Sequence, residues 1–501
     1  MQTKSKIKQN NVGQVTTAAL WTLSSNMGDK FISFFSIVIL ARLLTPKDFG
    51  LIAIAGSIVA FGELLNTFGF DWALVRLPNP TIDHYNTAWT LRILCALAAI
   101  ATIGIIVPIS VMLFNQSALL PVIAVMAISI LIGSFENIGT IDFRRNFSFD
   151  LEFLLRITSK IIGFIVAILI AYIWHSYWAL VLGTLASRVM GTLMSYILHE
   201  FRPQFSLKET SDLFRFSIWM FATNILAFFH NCFANLYIGY HFGSKSTGMF
   251  SIANEFALLA NNDIAAPVNR AAYSRYVQHT EELNKLKEDY LTTASIIWML
   301  ALPATAGIFS VTHEIVALML GQQWTESANL LRVLVVGGAF NILAASTSYI
   351  YWALGYSKMV FCLNAFIVIT MIGASIILAS PLGICGIAMG FVIAAVLVLP
   401  INFYTLWSIA GISFAELWKR AWRICCAASG MLILLELLFG NAPVHSSLAA
   451  IFPLAIKITC GIIFYITILA GLWWSSGKPD GPESFAIKTL KNYWPWQKRD
   501  N

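Results

Sequence analysis

The sequence predicts an all-α polytopic membrane protein with about fourteen transmembrane helices. Of its 501 residues, 58% are hydrophobic and only 11% are charged, and the mean hydropathy is +0.74. Fourteen apolar windows approach the length of about 20 residues that a membrane-spanning helix needs. A repeat with a spacing of 198 residues further predicts a duplicated chain, in which the seventh span matches the first and the last two spans lie outside the duplicated part. The windows are 17–40, 49–70, 88–113, 119–140, 157–174, 178–199, 216–241, 248–270, 290–312, 326–353, 359–379, 383–409, 424–440 and 448–474.

The distribution of Lys and Arg predicts the orientation of these spans. Basic residues collect in every second loop, as at Arg144 and Arg145 or at Lys419 and Arg420, and such loops face the cytoplasm. We therefore expect both termini on the cytoplasmic side, and the net charge of +7 reflects this bias without requiring nucleic acid. The predicted domains are an N-terminal lobe at 1–200, a C-terminal lobe at 201–410, the last two spans at 411–475 and a cytoplasmic tail at 476–501.

The repeat is built around a basic elbow between the first two spans, RLLTPKDFG at 42–50. Residues before and within this elbow recur in the second half of the chain. Membrane transporters of repeated design place their substrate path between the two repeats. The matching pairs are Trp21 and Trp219, Asn26 and Asn224, Lys47 and Lys245, and Gly50 and Gly248.

Two inner loops contain a Ser-x-x-Glu pattern, which is typical of the capping box at a helix N-terminus. These are Ser206 with Glu209, and Ser413 with Glu416. We therefore expect a helix to begin at each of them.

Polar residues form a stripe along the first span of each half. The spacing in each stripe follows the helical period, so that the members share one face. A lone Asn can equally serve as a contact between helices. The first span carries Asn26, Asp29, Lys30 and Ser33, and the seventh carries Asn224, Asn231 and Asn235.

Ionisable residues continue this pattern in the second and eighth spans. Such groups are costly within the bilayer unless they face water, a partner or a ligand. We therefore expect these four spans to line one polar interior, although Asp71 and Arg270 can also anchor the ends of their spans. The second span carries Glu63 and Asp71, and the eighth carries Glu255, Asn262, Asp263, Asn269 and Arg270.

Three segments resemble polysaccharide exporters of the Wzx type, in the colanic-acid and exopolysaccharide branch of the MOP superfamily. They are ILARLLTPKDFGLIA at 39–53, FRRNFSFDLEF at 143–153 and LGQQWTESANLLRVL at 320–334. The resemblance implies two six-helix lobes, two further helices and a V-shaped cavity. It also implies a substrate, an undecaprenyl-pyrophosphate-linked oligosaccharide, that is flipped across the bacterial inner membrane for exopolysaccharide, capsule or O-antigen biosynthesis.

Such a substrate needs cations for its pyrophosphate and amides for its sugars. The expected substrate-binding residues are Lys30, Asn26, Arg188, Asn224, Asn231, Asn262, Arg270 and Arg332. Alternating access driven by a proton or sodium gradient needs carboxylates, and the candidates for ion coupling are Asp29, Glu63, Glu255 and Asp263. Asp29 can instead neutralise Lys30, and Lys457 can pair with Glu436. Related flippases carry basic residues on the second helix, where this chain has Glu63.

The main alternative is a MATE-like cation-coupled small-molecule antiporter, which shares the superfamily architecture. A membrane glycosyltransferase or polymerase would need a catalytic constellation on a large outer loop, and the outer loops are short. We expect no enzymatic activity, no catalytic residue, no metal site and no cofactor beyond the gradient; the seven cysteines lack metal-ligand spacing. The expected partners are the lipid-linked oligosaccharide, membrane lipids, a polysaccharide polymerase and a chain-length regulator.

Overall fold

The computed structural model describes residues 21, 24–25, 27–64, 74, 80–146, 148–259, 261–440, 451–479 and 481–484. Side chains are described in these ranges except at 211–223 and 262. Every regular element in this part of the chain is helical, which confirms the all-α class.

Helices occupy all fourteen predicted windows within the described ranges. The helix α7 is broken at Gly243, whose φ of 79° lies outside the helical region, and a π-helical turn at Asn261–Ala265 precedes α8. The longer helices are α1 (27–43), α2 (Pro46–Glu63), α3 (Ile82–Phe114), α4 (Leu119–Ser134), α5 (Phe149–Trp174), α6 (Trp178–Leu198), α7 (Thr210–Ala257), α8 (Ala266–Gln278), α9 (Leu283–Ser310), α10 (Ser327–Ala344), α11 (Ser357–Leu382), α12 (Ile384–Ala410), α13 (Phe414–Phe439) and α14 (Ile451–Ser475).

Many of these helices have the length and composition of membrane spans. Among the described residues, nine are long and apolar enough to cross a membrane. Leu119–Ser134 and Ile138–Arg145, bent by 67° at a short break, form a tenth when taken together. The other predicted windows coincide with α1, α2, α7 and the helical turns around α8. The chain is therefore a polytopic helical membrane protein, as predicted.

The basic elbow of the repeat, at 42–50, contains the end of α1 and the start of α2. The Asp48 N–H donates to Thr45 Oγ1 at 3.4 Å, and the Thr45 N–H donates to Asp48 Oδ2 at 2.9 Å, so the two residues form a capping box. Pro46 lies in the first turn, where a missing N–H costs no helical hydrogen bond. The box predicted at Ser413 and Glu416 is confirmed at the start of α13.

The helix start predicted at Ser206 is wrong. Residues 201–207 contain no helix, and α7 begins at Thr210. The segment instead lies along α3, because side chains of that helix accept its backbone N–H groups and replace the bonds of a helical turn. The donors are Gln204, Ser206 and Glu209, and their acceptors are Asn86 at 2.8 Å, Thr90 at 3.0 Å and Thr87 at 3.3 Å.

The chain divides into two compact units, Met1–Gly248 and Met249–Asn501. In the first unit, α2 packs on α3 and α4, and α5 packs closely on α6. In the second unit, α11 and α12 form the corresponding close pair, and α13 packs against α9 and α14. The lobe boundary expected between residues 200 and 201 stays a prediction.

The 198-residue repeat has a structural counterpart in the first unit, where α2 and α7 cross. A Cβ on Gly50 would overlap the carbonyl oxygen of Ser244, and a Cβ on Gly248 would overlap the carbonyl oxygen of Pro46. Pro46 and Ser244 are themselves 198 positions apart, so the repeat relates one contact to the other. Only glycine allows the two backbones to approach this closely.

Candidate functional site

A polar cavity of about 330 Å³ opens among α1, α4, α5 and α6 in the first unit. Gly133 near the end of α4 and Gly191 on α6 line it without filling it. Charged and hydroxyl side chains reach the cavity from all sides. They are Asp29 on α1, Glu136 just after α4, Arg156, Ser159 and Lys160 on α5, and Ser187 and Arg188 on α6.

A ladder of ion pairs runs along α5 into this cavity. Glu152, Arg156 and Lys160 are spaced by four residues and therefore lie on one helix face. Glu152 contacts Arg156 at 3.0 Å and Arg144 at 2.9 Å. One turn beyond Arg156, Lys160 Nζ lies 3.1 Å from Asp29 Oδ1. The polar face of α5 thus meets the polar stripe of α1.

Two further ion pairs flank the cavity. Arg188 Nη2 on α6 lies 4.0 Å from Glu63 Oε1 on α2, and both side chains are exposed, at 57% and 41%. Arg92 on α3 contacts Glu136 at 3.1 Å and donates to the Gly133 carbonyl oxygen at 2.6 Å. This second pair is more buried, at 20% and 28%. Arg92 therefore holds α3 against the end of α4, whereas the Arg188 guanidinium stays accessible.

Among the charged side chains described in the cavity and in its flanking ion pairs, the positive charges exceed the negative charges by one. Accessible cations in such excess favour the binding of an anion. The basic residues are Arg92, Arg144, Arg156, Lys160 and Arg188, and the acidic residues are Asp29, Glu63, Glu136 and Glu152.

Comparison with known proteins identifies the family. The family model described as polysaccharide biosynthesis protein matches residues 39–329, which is more than half of the chain. The chain belongs to this family.

Relatives of this chain carry names from bacterial glycan synthesis. The chain is 23% identical over 354 residues to the succinoglycan biosynthesis transport protein ExoT of Rhizobium meliloti (strain 1021), with 70% of each chain covered. It is 19% identical over 398 residues to the lipopolysaccharide biosynthesis protein WzxC of Escherichia coli (strain K12), covering 78% of this chain and 80% of the relative.

The chain shares its fold with two solved structures. The lipid II flippase MurJ in an inward closed conformation matches with a TM-score of 0.73 at 16% identity, covering 91% of this chain and 99% of MurJ. An inward-facing multidrug resistance MATE transporter of the MOP superfamily matches with a TM-score of 0.62 at 17% identity, covering 78% and 96%. The chain therefore shares its fold with a transporter of the MOP superfamily, as the sequence resemblance predicts.

The structure brings three of the predicted site residues of this family member together. Asp29 and Arg188 line the cavity, and Glu63 adjoins it through its contact with Arg188. The prediction omits Arg156 and Lys160, which supply two of the cavity's cations. The four-residue spacing from Glu152 through Arg156 to Lys160 was the sequence signal that could have found them.

The remaining predicted residues lie in several environments. Lys30 and Asn224 are half-buried and each has an interaction partner. Arg270 is exposed, and its Nε donates to the Ala266 carbonyl oxygen of its own helix at 3.4 Å. Asn231, Glu255 and Asp263 are also exposed. Asn26, Asp71 and the side chain of Asn262 lie outside the described residues.

Two of the Asn residues expected to line the polar interior contact neighbouring helices. Asn235 Nδ2 on α7 donates to Ser57 Oγ on α2 at 3.4 Å. Asn269 on α8 is 1% exposed, and its Nδ2 donates at 3.2 Å to the Ala345 carbonyl oxygen, directly after α10. These contacts match the alternative role of an Asn within a span, which is to join two helices.

Ion pairs in the second unit join its last two helices to their neighbours. Arg332 on α10 contacts Glu436 on α13 at 3.0 Å, with its guanidinium 4.9 Å from the centre of the Phe309 ring. Lys457 on α14 contacts Glu314 at 2.8 Å and donates to the Ser310 carbonyl oxygen at 2.7 Å. Lys457 therefore pairs with Glu314 rather than with Glu436.

Proposed function

We propose that this protein flips an undecaprenyl-pyrophosphate-linked oligosaccharide repeat unit across the bacterial inner membrane. The repeat unit would serve exopolysaccharide, capsule or O-antigen biosynthesis. The family match and the flippase-like fold support transport of a polysaccharide precursor. The observation that carries the proposal is the polar cavity of the first unit, where Arg156, Lys160 and Arg188 are accessible inside a membrane protein.

The cavity supplies the groups that such a substrate requires. A pyrophosphate is best held by several cations, with Arg as a planar double donor and Lys as a point charge. Arg188 and Lys160 meet this need from α6 and α5. The hydroxyl groups of Ser159 and Ser187 can accept hydrogen bonds from sugar hydroxyls.

Alternating access is driven, in this proposal, by a proton or sodium gradient. Asp29 and Glu63 support it, because each carboxylate faces a cation of the cavity region. A proton or a sodium ion on either carboxylate weakens its attraction for Lys160 or Arg188. Glu255 and Asp263 are exposed and remain the other candidates for ion coupling.

The proposed setting is a bacterial inner membrane with both chain termini in the cytoplasm. The distribution of basic residues between loops supports this orientation. A flipped repeat unit requires an enzyme that joins it to the growing glycan, so we expect a polysaccharide polymerase and a chain-length regulator as functional partners. The protein itself carries out transport and no covalent chemistry.

Deletion and complementation in the source bacterium test this function. Deletion should cause the undecaprenyl-linked repeat unit to accumulate on the cytoplasmic side, and the wild-type gene should clear it. Arg188→Gln should lower the rate of clearance about tenfold, because a charged hydrogen-bond donor is lost from the cavity. The matched control is Lys285→Gln, since Lys285 forms an exposed pair with Glu282 at 2.7 Å outside the cavity.

The same deletion separates the proposal from its main rival. A MATE-like cation-coupled small-molecule antiporter is favoured by the fold match to a multidrug resistance transporter. Unchanged glycan export together with increased drug sensitivity would establish the antiporter and overturn the flippase.

A further inference from the structure

We propose that Lys160 binds a phosphate of the substrate in the cavity. Until a phosphate arrives, the Lys160 ammonium group pairs with the Asp29 carboxylate, which the phosphate then displaces. This inference rests on the proposed function, since it concerns how the same cavity holds the substrate's pyrophosphate. Asp29 is then an internal competitor of the substrate rather than a direct ligand.

The geometry of the pair allows replacement. Lys160 Nζ lies 3.1 Å from Asp29 Oδ1, and the two side chains are 38% and 47% exposed. An ammonium group has three N–H donors, so a single carboxylate does not use all of them. Ion pairs at this exposure are weak, because solvent competes for both charges. An incoming phosphate can therefore take the place of the carboxylate without uncovering a buried charge.

The neighbouring cations are also incompletely neutralised. Arg156, one turn before Lys160, shares the single carboxylate of Glu152 with Arg144. Arg188 reaches Glu63 only at 4.0 Å. A phosphate bound at Lys160 thus enters a field from three basic residues on two adjacent helices. Arg92, by contrast, is held by Glu136 and by the Gly133 carbonyl oxygen.

The position of Asp29 explains why an acidic residue lines a cavity for an anion. Without a phosphate, the three cations that line the cavity repel one another, and the carboxylate reduces that repulsion. With a phosphate bound, the same carboxylate repels it. Removal of the Asp29 charge should therefore strengthen phosphate binding, whereas removal of the Lys160 charge should weaken it.

The binding test uses the full chain in lipid nanodiscs, with inorganic pyrophosphate as the probe at one fixed ionic strength. Asp29→Asn should lower the Kd about threefold, and Lys160→Gln should raise it about tenfold. Lys160→Arg should stay near the wild-type Kd, and Lys285→Gln, from the exposed pair with Glu282, should not change it. A second arm with undecaprenyl pyrophosphate in the nanodisc should show the same order, which assigns the site to the lipid headgroup.

A double variant distinguishes local competition from a general change in charge. In the Lys160→Gln background, Asp29→Asn should improve pyrophosphate binding much less than it does in the wild type. The reason is that the cation for which the carboxylate and pyrophosphate compete is absent. Equal improvement in both backgrounds, or no tightening by Asp29→Asn alone, overturns the competition. Normal pyrophosphate binding by Lys160→Gln, or no binding by the wild type, overturns the site. These failures leave the proposed function intact, because that function fails only if the lipid-linked repeat unit does not accumulate on deletion.

Discussion

The ion pairs of the cavity and those near the end of the chain use oppositely charged side chains in different ways. Lys160 and Asp29 are 38% and 47% exposed and touch through one pair of atoms at 3.1 Å. Arg423 on α13 and Glu483 are 3% and 6% exposed and are joined by two bonds, of 2.9 and 3.2 Å. The first pair can exchange partners with solvent or ligand, whereas the second forms part of the core of its unit.

Burial explains this difference. An exposed ion pair contributes little to stability, because the free energy of solvating the two separated charges is nearly as favourable as their attraction. In a buried pair each charge has lost its water, so removing one partner leaves the other with nothing to replace it. The ion pairs of one chain can thus be divided by exposure into structural pairs and pairs available for function.

The largest effect is expected at the most buried pair. Arg423→Met should lower the free energy of unfolding by about 3–5 kcal/mol, because Glu483 is left buried and unpaired. Thermal denaturation of the purified full chain in detergent measures it. The double variant Arg423→Met with Glu483→Leu should recover most of the loss. A single variant as stable as the double variant would show that the pair is not coupled.

A smaller loss is expected at Lys457. Lys457→Met removes both the contact with Glu314 and the hydrogen bond to the Ser310 carbonyl oxygen. Glu314 is 19% exposed and keeps some access to water, so we expect a loss of about 2–3 kcal/mol. The same denaturation assay applies. A loss greater than that of Arg423→Met would contradict the ranking by exposure.

The smallest effect on stability is expected in the cavity. Asp29→Asn and Arg188→Gln should each change the free energy of unfolding by no more than about 1 kcal/mol, since their pairs are exposed. Lys285→Ala, in an exposed pair outside the cavity, provides the reference. If either cavity variant were destabilised as much as Lys457→Met, the cavity pairs would be structural pairs like the buried ones.

Much of the fold follows from local features of the sequence, and the partners in the site do not. Apolar windows near 20 residues predict helices wherever they occur, and the helical period predicts that Asp29 lies on a polar face. The partner of Asp29 depends on how α1 and α5 are rotated and aligned against each other. Packing of side chains across the whole unit sets that register, so Lys160 could not be assigned. The same limit applies to Lys457, whose partner is Glu314.

The error at Ser206 has a related cause. The Ser-x-x-Glu pattern is the same at Ser206 and at Ser413, but only the second begins a helix. At Ser206 the backbone N–H groups find acceptors on α3, among them Thr90. A capping motif therefore predicts a helix only where no other element offers better hydrogen-bond partners.

The crossing of α2 and α7 at Gly50 and Gly248 has the form of an isologous interface. In a two-fold symmetric dimer, a residue of one subunit meets a second residue of its partner, and the reverse contact occurs as well. Here Gly50 meets Ser244 and Gly248 meets Pro46, with the subunits replaced by two segments of one chain, both within its first unit. The two copies of this repeated segment thus contact each other within one chain in the reciprocal manner of two identical subunits.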